Sequence, residues 1–135
     1  MPSLQEFKIK TKKKEEIIDI TKKIEEIIKK NKTKHGICLI YVPHATAAIT
    51  INENADPNIG LDFLEALDRI VPEGKWRHDK IDNNGAAHIK AALIGPDVMI
   101  PIKNLALTLG TWQGIMFCEF DGPRERKIII KIIEG

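Results

Sequence analysis

The sequence has 135 residues, 43% hydrophobic and 30% charged, the size and balance of one soluble domain spanning 1–135 that buries a core without disulfide or metal staples. Its formal net charge of +2 lacks the basic excess of a dedicated nucleic-acid protein, and no apolar run reaches the roughly 20 residues of a membrane helix. Met1 to Glu6 carries no apolar signal core, and Cys38 and Cys118 both sit in apolar runs, so the sequence reads as a cytoplasmic protein with two unpaired, buried thiols.

The first element is a strand over 4–11, where Leu4, Phe7 and Ile9 stand among polar neighbours. A helix follows over 15–30. Ile17, Ile20, Ile24, Ile27 and Ile28 have the three-and-four spacing of an amphipathic face. Thr11 is its expected cap, and Glu25 with Lys29 and Glu26 with Lys30 are favourable i,i+4 pairs. The Lys-rich run from Lys8 to Lys34 is read as a solvated face.

Residues 36–42 form a continuous apolar run, the mark of a buried strand, ended by Pro43. A strand over 45–51 comes next. Asp56-Pro57 then announces a helix, with Asp at the cap and Pro at the first helical position. Phe63, Leu64, Leu67, Ile70 and Val71 supply its inward face, and Pro72 and Gly74 close it. A polar loop occupies 73–85, and a loop of that length inside one domain points to function. A short helix over 86–94 ends at Gly95-Pro96. Strands over 98–102, 105–109, 113–120 and 127–133 complete the chain, with turns at Gly110 and at Asp121-Gly122-Pro123. Because strict βαβ alternation is absent, the class is α+β with mainly antiparallel sheets.

Three histidines occupy places where segments can meet: His44 at a strand end, His78 in the polar loop and His88 on the short helix. His35 lies in a Lys-rich turn and reads as surface. Imidazoles bind transition metals, but no two of these have a local ligand spacing, so for any one of them a plain hydrogen-bonding role is the favoured reading. Carboxylates lie nearby in sequence: Glu53, Asp56, Asp79, Asp82, Glu119 and Asp121. Asp56 already serves as a cap and Asp121 as a turn residue. Glu53 has no such local use. Arg124 opens a strand and can grip phosphate, or simply stand exposed. Trp112 either packs the core or walls a pocket. No P-loop, dinucleotide fingerprint, nucleophile elbow or Cys-x-x-Cys is present.

Six blocks together resemble the YjbQ-type family: His44-Ala45-Thr46-Ala47-Ala48, Ile51-Asn52-Glu53-Asn54-Ala55-Asp56, Arg77-His78-Asp79, Asn84-Gly85-Ala86-Ala87-His88-Ile89-Lys90, Leu109-Gly110-Thr111-Trp112-Gln113-Gly114-Ile115 and Cys118-Glu119-Phe120-Asp121-Gly122-Pro123-Arg124. They fall in the expected order and span nearly the whole chain. One departure is Ala45, where the family often has a hydroxyl residue; Thr46 still supplies one.

The resemblance implies a β-sandwich-like α+β fold that assembles as a homotrimer. It implies that His44, His78 and His88 converge with nearby carboxylates, so that a divalent metal, zinc or magnesium, is the candidate cofactor. It also implies thiamine-phosphate synthase activity, joining a pyrimidine diphosphate to a thiazole phosphate. On that reading His44, Glu53 and Glu119 are the candidate catalytic residues. Thr46, Asn54, Trp112, Gln113 and Arg124 are the candidate contacts to a phosphorylated small molecule, and His44, His78 and His88 the candidate metal ligands. The alternatives are a metal-dependent hydrolase, with Glu53 or Glu119 as base, and a non-enzymatic trimeric protein that holds a ligand or ion.

Overall fold

Residues 4–135 are described by a computed structural model; residues 1–3, which begin the segment read above as lacking a signal core, lie outside it. Five strands form one antiparallel sheet in the order β1 (Leu4–Lys10), β8 (Glu125–Glu134), β3 (Gly36–Tyr41), β5 (Asp97–Lys103) and β6 (Ala106–Leu107). Three more form a second, with β7 (Gln113–Glu119) between β2 (Glu16–Asp19) and β4 (Ala47–Glu53). The helices are α1 (Thr21–Asn31), α2 (Pro57–Ile70) and α3 (Gly85–Ile94), with a short 3-10 turn at Arg77–Lys80.

Period-two alternation builds the core. Cys38, Ile40, Ile128 and Ile130 of the larger sheet face Ile49, Ile115 and Phe117 of the smaller one, and Ile24 and Ile28 of α1 join them. The other side of the smaller sheet is also covered. Ala48, Cys118 and Phe120 meet Leu67 of α2 and Ala87 and Ala91 of α3. The layers run sheet, sheet, helices, which is the α+β sandwich expected.

Several expectations need correction. The helix expected over 15–30 starts only at Thr21, because Glu16–Asp19 instead pairs with β7, Glu16 opposite Glu119 and Asp19 opposite Met116. Ladder bonds and burial of the branched Ile17 and Ile18 outweigh the helical spacing. Thr11 caps nothing; its hydroxyl donates to the Glu119 carboxylate at 2.7 Å and accepts from the Arg124 N–H at 2.9 Å. The strand expected over 105–109 shrinks to two residues, because Asn104 and Leu105 take positive φ of 51° and 65° in the β5–β6 turn. Within α2 the expected inward face also loses Ile70, which is exposed, while Val71 is buried.

Asp56 does cap α2, accepting from the Asn58 N–H at 2.9 Å, with Pro57 in the first turn. The run 36–42 is buried on one face only: Cys38 and Ile40 are enclosed, whereas Ile37 and Tyr41 are each 42% exposed.

Cys38 and Cys118 are free and buried, and burial pushes both thiols up to about 12. The thiolate is the reactive form. Ellman's reagent at pH 8 is therefore expected to leave the folded protein untouched and to titrate two thiols per chain in denaturant. Prompt labelling of a thiol before unfolding would show that solvent reaches one of these sites.

Candidate functional site

The turn between β7 and β8 is where distant segments meet. Gly122 donates its N–H to the Lys14 carbonyl at 2.9 Å, and a side chain there would fall 2.3 Å from the Lys13 carbonyl oxygen, so only glycine fits. Phe120 donates its N–H to the Thr46 carbonyl at 3.2 Å. Asn84, at the start of α3, donates from its side chain to Asp121 at 2.8 Å. Arg124 donates from Nε to the Asp121 carbonyl at 2.8 Å and from Nη2 to the Asp121 carboxylate at 3.0 Å.

Beneath the turn lies a closed ion pair. Glu119 is 0% exposed and Arg126 is 3% exposed. Arg126 Nε reaches both Glu119 oxygens, at 3.0 and 3.1 Å, and Nη2 reaches Oε2 at 2.5 Å. The same Nη2 donates to the Thr46 hydroxyl at 2.8 Å and to the Thr46 carbonyl at 3.3 Å. Glu119 also accepts from Thr11 and, at 3.2 Å, from the Asp121 N–H. Both Glu119 oxygens are thus saturated by donors. That arrangement holds structure and leaves no lone pair poised to take a proton.

His44 sits where the chain leaves the larger sheet after β3. Its Nε2 accepts the Lys127 backbone N–H at 2.8 Å, filling the place of a strand acceptor beside β8. A backbone N–H can only donate, so the ring proton is on Nδ1 and the ring is neutral. Burial, and then the Arg126 charge, hold its pKa below the ordinary 6.5. His44 opens on a cleft of about 260 Å³ lined by Lys8, Glu125, Arg126 and Lys127. Lys8 lies 3.6 Å from Glu125, and Lys127 lies 3.7 Å from Glu6. Both are exposed pairs of the kind that contribute about 0–1 kcal/mol, so an incoming anion can displace them.

His78 and His88 do meet, with ring centroids 4.6 Å apart and planes at 79°. His78 Nε2 is enclosed without a hydrogen-bond partner, 3.6 Å from the Asp82 carboxylate. The loop that carries His78 is pinned by Asp79, which accepts from the Trp76 N–H at 3.1 Å and the Gly85 N–H at 2.8 Å. Those two backbone bonds lower the Asp79 pKa. Gly85 is required there, since a Cβ would lie 2.6 Å from that of Trp76.

The remaining candidates stand at the other end of the smaller sheet. Ala47 pairs with Glu119 at one end of the β4–β7 ladder and Glu53 with Gln113 at the other, about 20 Å away at roughly 3.3 Å per residue. There Asn54 donates to Asp19. The Gln113 side chain accepts the Gly110 N–H at 2.9 Å. Trp112 is exposed. The chain therefore brings Thr46, Glu119 and Arg124 into one bonded cluster with His44 on its flank, sets His78 against His88, and leaves Glu53, Asn54, Trp112 and Gln113 apart.

A divalent metal does not fit these donors within one chain. Among the described residues no three His, Cys, Asp or Glu side chains form a group able to hold one. His44 has one nitrogen engaged by Lys127 and carries its proton on the other.

Two buried charges were missing from the sequence reading. Arg126 lies in phase with Ile128, Ile130 and Ile132, all on the inner face of β8, and that alternation was its signal. Lys90 is 1% exposed and bonded to Glu15 at 2.8 Å and to Asp68. It stands three and four residues from the buried Ala87 and Ala86 on α3.

Similarity to other proteins follows the same residues. The model of the family described as UPF0047 protein YjbQ-like matches residues 5–135. The UPF0047 protein MJ1081 of Methanocaldococcus jannaschii is 49% identical over 130 residues, covering 96% of this chain and 94% of its own. The UPF0047 protein YugU of Bacillus subtilis is 45% identical over 133 residues, covering 96% and 98%. A crystal structure of an uncharacterised YjbQ/UPF0047 protein from Clostridium acetobutylicum superposes with a TM-score of 0.92 at 45% identity, over 96% of this chain and 99% of that one. A protein of unknown function from Sulfolobus solfataricus gives 0.94 at 36% identity, over 98% and 96%. Sequence and backbone agree across nearly the full length, and the chain belongs to the YjbQ/UPF0047 family.

Proposed function

We propose that this chain is a cytoplasmic enzyme acting on phosphorylated small molecules, with thiamine-phosphate synthesis as its reaction and the β7–β8 turn as its site. In that reaction the pyrimidine methylene carbon loses its bond to diphosphate, which leaves with the electron pair, and the thiazole nitrogen forms the new bond to that carbon. The central step needs donors that stabilise a departing anion and needs no general base.

The observation that carries this reading is a site rich in donors whose buried carboxylate, Glu119, is fully engaged. The His44 Nδ1–H, the Lys8 and Lys127 ammonium groups and the N–H groups Arg124 does not spend on Asp121 are donors. The Glu119 oxygens are saturated. A hydrolase would need Glu119 or the remote Glu53 to activate water, and the geometry favours neither. Magnesium enters this reading on the diphosphate itself, as part of the substrate.

The test is formation of thiamine phosphate from the two phosphorylated precursors, followed by mass spectrometry, with diphosphate binding measured by calorimetry. Removing one donor aimed at a developing anion costs about 10²–10³ in rate. His44→Ala and Arg124→Ala are each expected to fall in that range, and Glu53→Gln is expected to change nothing. Diphosphate binding without turnover would make the chain a binding protein; neither binding nor turnover would sink the reading.

A further inference from the structure

We propose that Arg126, through its buried pair with Glu119 and its grip on Thr46, is the positioning residue that keeps His44 a fixed Nδ1–H donor. The proposal rests on the site reading above and deepens it.

Strand β8 holds the segment carrying His44 at two points one residue apart. On the inner face, Arg126 Nη2 reaches Thr46 through its hydroxyl at 2.8 Å and its carbonyl at 3.3 Å. Along the strand edge, the Lys127 N–H reaches the imidazole at 2.8 Å. Upstream, Val42 is fixed by its N–H to the Pro96 carbonyl at 2.8 Å. Between those anchors the chain runs through Pro43, His44 and Ala45, which has no side-chain hydroxyl to bind anything. The place of the ring is therefore set by how firmly Thr46 is held.

The Phe120 N–H also holds the Thr46 carbonyl, at 3.2 Å, while Arg126 grips the Thr46 hydroxyl and does so only with Glu119 in place. A buried guanidinium needs a carboxylate to offset the cost of enclosing its charge, and a fork meeting both oxygens of one carboxylate has a defined plane. Glu119 supplies that carboxylate and is itself oriented by Thr11 and the Asp121 N–H. The chain of contacts runs from Thr11 and Asp121 through Glu119 and Arg126 to Thr46, and so to the histidine two residues earlier. Its effect is on the tautomer. Free histidine favours the proton on Nε2, whereas here the Lys127 N–H requires a lone pair at that atom. A ring that drifts from Lys127 loses the contact that selects Nδ1–H, and with it the fixed tautomer of a residue lining the cleft.

The experiment reads that proton directly. Long-range nitrogen–proton correlation spectra of histidine-labelled protein are expected to show His44 of the unaltered chain as the Nδ1–H tautomer. The paired substitution Arg126→Met with Glu119→Leu replaces two buried charges by apolar groups of similar length, which folded proteins tolerate far better than loss of one partner. In that variant His44 is expected to become a mixture dominated by Nε2–H, with His35 unchanged. Should the pair fail to fold, Thr46→Val removes only the 2.8 Å bond and keeps the side-chain volume, and at least a tenth of His44 is expected to change tautomer. His44 remaining wholly Nδ1–H in a folded variant overturns the proposal. Diphosphate binding by the unaltered chain separates the two readings: a tautomer that shifts as expected in a protein that binds no diphosphate leaves the positioning intact and removes the site assignment.

Discussion

Lys90→Met is expected to lower the stability of the fold by about 3 kcal/mol, seen as a fall of about 10 °C in Tm. Lys90 is buried in α3, and its ammonium joins Asp68 of α2 to Glu15 just before β2. Three segments that otherwise share one small apolar cluster are tied at that atom. Burial alone would lower the Lys90 pKa, but the hydrogen bonds and charges of Asp68 and Glu15 outweigh it and raise the pKa above the ordinary 10.5. Methionine keeps the length and removes the charge, leaving two carboxylates close together. Asp68 is partly in water, so the cost falls at the lower end of the range for a broken buried pair. The sign with pH follows from the raised pKa. The Lys90 contribution is complete below the unfolded value near 10.5 and is lost as pH rises through the folded value. The difference in stability between the unaltered chain and Lys90→Met should therefore hold at neutral pH and shrink in alkali above that value. Adding Glu15→Gln and Asp68→Asn to Lys90→Met should restore part of the loss. Equal Tm values for Lys90→Met and the unaltered chain would show that apolar packing alone holds α3 in place.

Local chemistry was readable in the sequence and long-range chemistry was not. Asp56-Pro57 starts α2 as expected because cap and first turn are neighbours in sequence. The start of α1 misled because Ile17 and Ile20 continue the helical spacing backward through a stretch that pairs with β7, far along the chain, with Ile18 opposite Phe117. Nothing between 11 and 20 announces that pairing. The candidate site split for the same reason. The blocks at 44–48 and 118–124 meet, while those at 51–56 and 109–115 close the opposite end of the same ladder, and sequence order cannot tell which end of a strand a neighbouring block will reach. Arg126 and Lys90 were legible only through periodicity. Each keeps the phase of buried aliphatic neighbours, and a charge in such a phase marks a buried partner elsewhere.

Leu39→Lys is expected to turn a trimer into folded monomers. The outer face of the larger sheet carries Ile37, Leu39 and Tyr41 on its central strand. In register beside them stand Ile129, Lys131 and Ile133 on β8 and Asp97, Met99 and Pro101 on β5. Met99 is 64% exposed and Ile133 53%. Among the described residues the main helix contacts lie elsewhere: α1 meets β6 and β7, α2 meets β2, and α3 meets β4. A largely apolar sheet face, here with Lys131 beside Leu39, marks a protein contact. A second copy is the occupant favoured, because the central strand β3 is apolar on both faces, as strands buried on both sides are. The family resemblance implies three copies, and closed rotational symmetry would let every copy cover the same patch. Leu39 lies at the middle strand of five, so a lysine there places an unpaired charge at the centre of each contact. Light scattering at micromolar concentration should give three times the 15.2 kDa chain mass for the unaltered protein. The variant should give the single mass with its far-ultraviolet circular dichroism retained. Lys8 and Lys127, which line the His44 cleft, belong to the same outer face. The monomeric variant should therefore also lose diphosphate binding, if the neighbouring copy walls that cleft. A monomer for the unaltered chain would end the assembly reading, and a trimer for Leu39→Lys would move the contact to another surface.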